Sequence, residues 1–269
     1  MLDKFFKLKE NKTTVRTEII AGITTFMTMA YILAVNPGIL SATGMDADAV
    51  FTATALSAVV ATLVMALWAK LPFALAPGMG LNAFFAFTVV LAMGHSWQFA
   101  LTAVFLEGII FLLLTAFNIR EVIVNAIPMN IKHAISAGIG LFIAFIGMQN
   151  AGLIVKSDAT MITLGNMAEH TIWIALFGLI VSGVLLALKV KGALLIGIFA
   201  SAIVGIPLGV TNLPTGSWVS LPPSLEPIFF KFAFSEIFTT DMLVVLITFL
   251  FVDLFDTVGT LVGVASKAI

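Results

Sequence analysis

Eight predominantly apolar stretches follow one another along the sequence, at residues 18–40, 49–68, 71–93, 97–117, 130–148, 171–188, 192–210 and 241–265. A helix rises about 1.5 Å per residue and the hydrocarbon core of a bilayer is about 30 Å thick, so about 20 residues suffice to cross it. Eight such stretches in 269 residues leave too little polar chain to cover them in water. Composition agrees, with 61% hydrophobic and only 10% charged residues, where a soluble domain carries about half and about a quarter. In lipid every backbone N–H and C=O must be satisfied internally, and the alternating period of a membrane barrel is missing. The expected fold class is therefore an all-α integral membrane protein, a polytopic helical bundle.

Direction follows from the basic residues, which favour the cytoplasmic side. With the amino terminus inside and a crossing at each stretch, Lys4, Lys7, Lys9, Lys12, Arg16, Lys70, Arg120, Lys132, Lys189, Lys191 and Lys267 all fall in the cytoplasm, and only Lys156 and Lys231 outside. Residues 1–17 are charged throughout, without the apolar core of a signal peptide, and read as a cytoplasmic arm. The Asn11-Lys12-Thr13 glycosylation match then lies in the cytoplasm and carries no sugar. Cysteine is absent, which excludes disulfides, thiolate metal sites and a cysteine nucleophile. A net charge of −1 leaves no footprint for nucleic acid. The outer loop 211–240, with Pro214, Pro222, Pro223, Pro227 and Trp218, is too apolar for a free linker and is expected to cover the bundle at the interface. A short inner interfacial helix is expected at 121–130.

Function in such a chain is sought where the apolar rule is broken. Three charged residues fall deep within spans: Glu107, Asp253 and Asp256. An ionised carboxylate there costs about 2.5–3.5 kcal/mol on insertion scales, so such residues usually face a bundle interior or cavity and handle substrates, ions or protons. In FVDLFDTVGT (251–260), Asp253, Asp256, Thr257 and Thr260 share one helix face, with Gly259 beside it. Two carboxylates one turn apart in low dielectric resist double ionisation, so one of them is expected to hold a proton. That suits a proton-coupled carrier; a hydrogen-bonded pair that fixes helix packing is the plainer alternative. Glu107, isolated beside Gly108, reads either as a proton-coupling group or as a neutral acid bonded to a neighbouring helix.

The second break is in the backbone. In PFALAPGMGLNAFFAF (72–87) the residues Pro72, Pro77, Gly78 and Gly80 crowd the first half of the third span, where a straight helix would lose hydrogen bonds. The third span is thus expected to be partly unwound, and interrupted spans point to the central site of a transporter. Asn82 lies just beyond the break, followed by Phe84, Phe85 and Phe87, which could face a ring; a plain proline kink lined by core phenylalanines is the alternative. The G-x-G-x-x-A match formed by Gly78, Gly80 and Ala83 has no βαβ unit around it and does not bind a dinucleotide. Thr24, Thr25, Thr28 and Tyr31 interrupt the first span as candidate cavity liners, while His95, His133 and His170 fall at span ends as surface residues.

Three stretches carry a resemblance. EIIAGITTFMTMAYILAVNP (18–37), APGMGLNAFF (76–85) and FVDLFDTVGTLVG (251–263) closely resemble the AzgA-like purine permeases of the nucleobase:cation symporter-2, or nucleobase–ascorbate transporter, family. The resemblance implies fourteen segments in two inverted seven-helix repeats, a homodimer in the full-length protein, and proton-coupled uptake of adenine, guanine or hypoxanthine into the cell (inner) membrane's cytoplasmic side, with Na⁺ as the alternative coupling ion. It makes Asp256 the carboxylate that binds the base and Thr260 a nearby polar position, and it places Gly80, Asn82, Ala83 and Phe84 near the base. Proton coupling falls to Asp256, Asp253 or Glu107. No cofactor, metal or enzyme activity is implied. The chain then divides into an arm (1–17), a first seven-helix repeat (18–211), an outer connection (212–240) and the first helix of a second repeat (241–269). On that reckoning it is an amino-terminal fragment that lacks the tenth segment and its carboxylate.

Other readings are a transport-incompetent fragment with a structural role, an anion carrier of the same fold, which the carboxylate pair disfavours, and an intramembrane aspartyl protease. The protease needs aspartates on different helices and a Gly-x-Gly-Asp element, and this sequence has none.

Overall fold

A computed structural model of the chain describes residues 6, 8–10, 12–117, 122, 123, 126, 128–190, 192–213 and 220–268, with the backbone alone at 129, 132, 133, 135, 136, 139 and 258–268. Residues 214–219, which include Pro214 and Trp218, and residues 121, 124, 125 and 127 of the expected interfacial helix at 121–130 lie outside the described residues. The helices are α1 (Val15–Met29), α2 (Ile32–Leu40), α3 (Ala47–Val64, widened into π turns over Met65–Ala69), α4 (Met79–Ala83, continued as π turns over Phe84–Ala92), α5 (Trp97–Ala116), α6 (Met129–Asn150), α7 (His170–Ala187), α8 (Ala193–Gly205) and α9 (Thr240–Ala268).

Helix starts follow local chemistry. Thr14 accepts a hydrogen bond from the Thr17 amide (3.2 Å), Asp46 from Ala49 (2.8 Å), Ser96 from Phe99 (3.2 Å) and Thr239 from Met242 (3.2 Å), so short polar side chains satisfy amides that lack a partner in the first turn. Among the described residues, Val15–Thr43, Ala47–Ala69, Trp97–Ala116 and His170–Ala187 are long and apolar enough to cross a bilayer. Their outer faces carry exposed apolar side chains such as Val60, Leu112 and Leu179, the last two about 70% exposed. Faces of that kind suit lipid, not water.

Two spans differ from simple rods. The first, expected as one helix, is two. The Thr24, Thr25 and Thr28 hydroxyls donate to the Ile20, Ala21 and Thr25 carbonyls, which loosens a helix. At Ala30–Tyr31 the chain tightens to i→i+3 bonds (Leu33 to Ala30, 3.2 Å; Ala34 to Tyr31, 3.0 Å) before Pro37, which has no N–H to give. The third span is unwound, as expected, from residue 70 to Gly78. Lys70 ends the preceding helix with φ 55°, and Thr62 on α3 holds the extended stretch at Leu75. The Leu75 amide donates to Thr62 Oγ1 (3.0 Å), and the Thr62 hydroxyl donates to the Leu75 carbonyl (3.2 Å). The loop after α6 contains an antiparallel hairpin, Ile154–Ser157 with Met161–Leu164 (Ile154 opposite Leu164), which periodicity did not announce.

The chain divides into two compact units. The first comprises Met1–Ala34, Thr54–Ala76 and Ile146–Pro222. In it α7 packs on α8, and α8 on α1. A Cβ on Gly178 would collide with Ser201 Oγ, and one on Gly197 with Ser182 Oγ while standing 3.2 Å from the Gly178 carbonyl oxygen. Small residues thus let two membrane helices approach closely. Gly197→Leu is expected to force α7 and α8 apart and to lower stability by about 1–3 kcal/mol, the usual scale of overpacking, read as a drop in the unfolding midpoint in detergent.

The second unit comprises Val35–Ala53, Pro77–Phe145 and Pro223–Ile269. Its core is Val50, Phe85, Val89, Phe99, Ala103, Met242, Val245 and Phe249, drawn from α3, the third span, α5 and α9. Residues 223–239, before α9, lie on this unit. The Thr52 hydroxyl donates to the Pro223 carbonyl (3.0 Å), the Ala233 amide donates to Thr102 Oγ1 (2.8 Å), and Phe232 packs on Phe105 at 4.8 Å between ring centres.

Candidate functional site

The features singled out in the third and eighth spans meet within the second unit. Gly78 is the last residue of the unwound stretch, with φ −76° and ψ 126°, a conformation open to any residue. Glycine is needed there for space: a Cβ would lie 2.8 Å from Asp256 Oδ2 on α9. The Asp256 carboxylate therefore rests against the backbone at the point where helix α4 begins. α9 is anchored along that same face, where Phe249 and Val245, seven and eleven residues before Asp256, are buried.

Asn82 is one turn into α4, its amide donating to the Gly78 carbonyl (3.3 Å). Its side-chain Nδ2 donates to Oδ1 of Asn36 on α2, which is buried at 3% exposure. Asn36 precedes Pro37 near the end of the first span, and the sequence alone marked it only as part of a motif. Its signal is clear in retrospect: a carboxamide inside an apolar segment needs a partner, and Asn82 is the carboxamide that provides one. Asn36→Ala is expected to leave the Asn82 amide short of a partner and to cost about 1–3 kcal/mol, the penalty of an orphaned buried polar group, measured as reduced thermal stability in detergent.

The remaining candidates occupy distinct settings. A Cβ on Gly80 would meet nothing within 4 Å, so that position borders open space. Ala83 is buried at 1% exposure and belongs to the packed side of α4. Phe84 packs edge-on against Phe249 at 4.9 Å between ring centres. The side chains of Gly259's neighbour Thr260 and of His133 lie outside the described residues. Glu107 is buried on α5, the helix packed along α9, and Asp253 lies near enough for its charge to act on it. His95 stacks on Phe99 (4.1 Å) and its Nε2 lies 3.6 Å from Asp241 Oδ2, a partly exposed pair at the start of α9.

An apolar groove of about 530 Å³ lies in the first unit, bordered by Gly22, Thr25 and Phe26 of α1, Thr62 of α3, and Phe73. The polar side chains on it, Glu18, Thr25 and Thr62, are already bonded to Thr13 and to the Ala21 and Leu75 carbonyls, whereas a site for a polar ring needs polar groups turned toward the ligand. The Asp256–Gly78–Asn82 arrangement, with a carboxylate, a carboxamide and an unwound backbone together, has the chemistry to accept and donate hydrogen bonds to a small heterocycle.

A sequence profile of the Permease family matches residues 16–268. The chain is 49% identical over 267 residues to the putative permease MJ0326 of Methanocaldococcus jannaschii, covering 99% of this chain and 61% of that protein. It is 43% identical to the adenine permease AdeP of Escherichia coli K12 (100% of this chain, 60% of that one). It is 46% identical to the guanine/hypoxanthine permease PbuG of Bacillus subtilis 168 (98% and 62%). The chain thus spans about three-fifths of the length of these curated relatives.

Proposed function

The chain belongs to the Permease family, and on that premise we propose that it forms part of a carrier that imports purine nucleobases across the cell membrane by proton symport. Two of its relatives are named for adenine and for guanine and hypoxanthine, which supports a purine base as substrate. The observation that carries the reading is the contact of the Asp256 carboxylate with the unwound stretch at Gly78, beside an Asn82 held by Asn36.

In this reading the Asp256 carboxylate accepts hydrogen bonds from ring or exocyclic N–H groups, and Asn82 supplies an amide to the same edge or the next. The open space at Gly80 lets the base approach the backbone, and Phe84 borders the ring. Thr260 lies one turn beyond Asp256 on α9. The amino terminus is cytoplasmic, as the bias of eleven basic residues against two favours. Residues 18–211 form one seven-helix repeat and 241–269 the first helix of its inverted partner, whose remaining helices supply the other walls in the whole permease.

The test is uptake of radiolabelled hypoxanthine by the whole permease, in cells that lack their own purine uptake. Unlabelled guanine and adenine are expected to compete, and a protonophore to abolish accumulation. Uptake that no purine reduces, or that survives loss of the proton gradient, would overturn the substrate or the coupling respectively.

A further inference from the structure

Glu107 lies midway along α5, on the face covered by the core of the second unit. It is 6% exposed, and its Oε1 is buried with no hydrogen-bond partner among the described residues. An ionised carboxylate with a buried, unpartnered oxygen loses hydration there without a compensating hydrogen bond, a costly arrangement in a membrane helix. Of the titratable groups on the elements packed against α5, namely Asp241, Asp253 and Asp256 on α9 and Glu236 in the turn Phe234–Glu236, the one that acts on Glu107 is Asp253. The segment Phe84–Ala92, also packed on α5, carries no titratable side chain. Lys267 is fourteen residues beyond Asp253, about 21 Å farther along the helix. Two acidic groups thus approach each other between α5 and α9 with no described cation acting on Glu107. A single proton relieves both difficulties: it neutralises one carboxyl and removes the like-charge repulsion.

We propose that Glu107 and Asp253 form a buried proton site between α5 and α9, separate from the Asp256 carboxylate that faces the substrate. Loading forms an O–H bond on the pair with a proton drawn from water; unloading breaks that bond and returns the proton to water, with no other bond changed. The coupling role of this site rests on the transport reading above, whereas the presence of the proton does not. The division of labour has a physical advantage. A substrate-binding carboxylate must stay ionised to accept N–H groups, and a second site lets the proton be carried without neutralising it.

The experiment uses the whole permease, purified and reconstituted, in wild-type, Glu107→Gln, Asp253→Asn and Asp256→Asn forms. In the infrared spectrum, a deuterium-sensitive C=O band of a protonated carboxylic acid is expected in the wild type, to be lost in Glu107→Gln or Asp253→Asn and kept in Asp256→Asn. In vesicles, Glu107→Gln is expected to reduce pH-driven hypoxanthine accumulation by about 5- to 150-fold more than it reduces hypoxanthine exchange at zero gradient, the span of coupling between linked sites. A band unaffected by both Glu107→Gln and Asp253→Asn overturns the site. Accumulation and exchange that fall together, or accumulation driven by Na⁺ and indifferent to pH, overturn its coupling role. If the wild type accumulates no purine, the transport reading fails, and the infrared band still decides the proton site. If Glu107→Gln does not fold, Asp253→Asn carries the same spectral decision.

Discussion

Replacing Gly78 by alanine is expected to reduce hypoxanthine uptake by the whole permease by about 100-fold, the scale on which a displacement of about 1 Å acts at a reacting or binding site, while leaving the protein folded. The added methyl would stand 2.8 Å from Asp256 Oδ2 and 3.9 Å from Leu81 Cδ1. The backbone at Gly78 tolerates a Cβ, since φ −76° and ψ 126° are ordinary extended values, so the conflict is with the carboxylate alone. A carboxylate can rotate away at about 0.5–1.5 kcal/mol, which spares the fold and misplaces the ligand. Gly80→Ala serves as the packing control, because a Cβ there meets nothing within 4 Å. Measuring uptake and the unfolding midpoint in detergent for both variants separates the two effects. A Gly78→Ala protein with wild-type uptake would show that the Asp256–Gly78 contact has no part in binding.

Asp256→Asn is the second large effect. A hydrogen bond to a charged group contributes about 1.5–3 kcal/mol, so loss of the charge is expected to raise KM for hypoxanthine about 10- to 100-fold. The asparagine amide is nearly isosteric with the carboxylate, and stability should change little. The double variant with Gly78→Ala should lose less than the sum of the two single losses in free energy, because both act on one contact. Full additivity, or unchanged pH-dependent uptake in Asp256→Asn, would remove Asp256 from the substrate site.

Much of this was readable from the residues because a bilayer imposes few solutions. The spans could be placed from hydropathy, and their starts fall beside Thr14, Asp46, Ser96 and Thr239, whose side chains end the search for amide partners. The unwound stretch was legible from Pro72, Pro77, Gly78 and Gly80, since prolines and glycines alter the local backbone directly. Asp256 stood out as a carboxylate in an apolar helix. What escaped was set by tertiary partners. The Asn36–Asn82 bond joins residues 46 positions apart, and the asparagine before Pro37 looks locally like a span terminus. The break at Ala30–Tyr31 contains no glycine or proline and comes from bonds within the helix and a switch to i→i+3 pairing. The hairpin at 154–164 depends on a strand pairing that short, mostly exposed segments do not signal by periodicity. Gly80 and Ala83, equivalent by motif, separate into an open and a buried position only when α4 has neighbours.

The Thr62–Leu75 clasp bears on the order of events in biogenesis. Insertion into a membrane sorts segments by partitioning, and by that measure residues 71–93 enter as one greasy unit while Thr62 slightly weakens the span that carries it. Yet the freed N–H and C=O of Leu75 are both met by that one hydroxyl. The third span consequently does not satisfy its backbone by itself: the polar groups of Leu75 are met only after the second is alongside, so the two ripen as a pair, and a residue that is a liability during entry becomes a fastening of the finished protein.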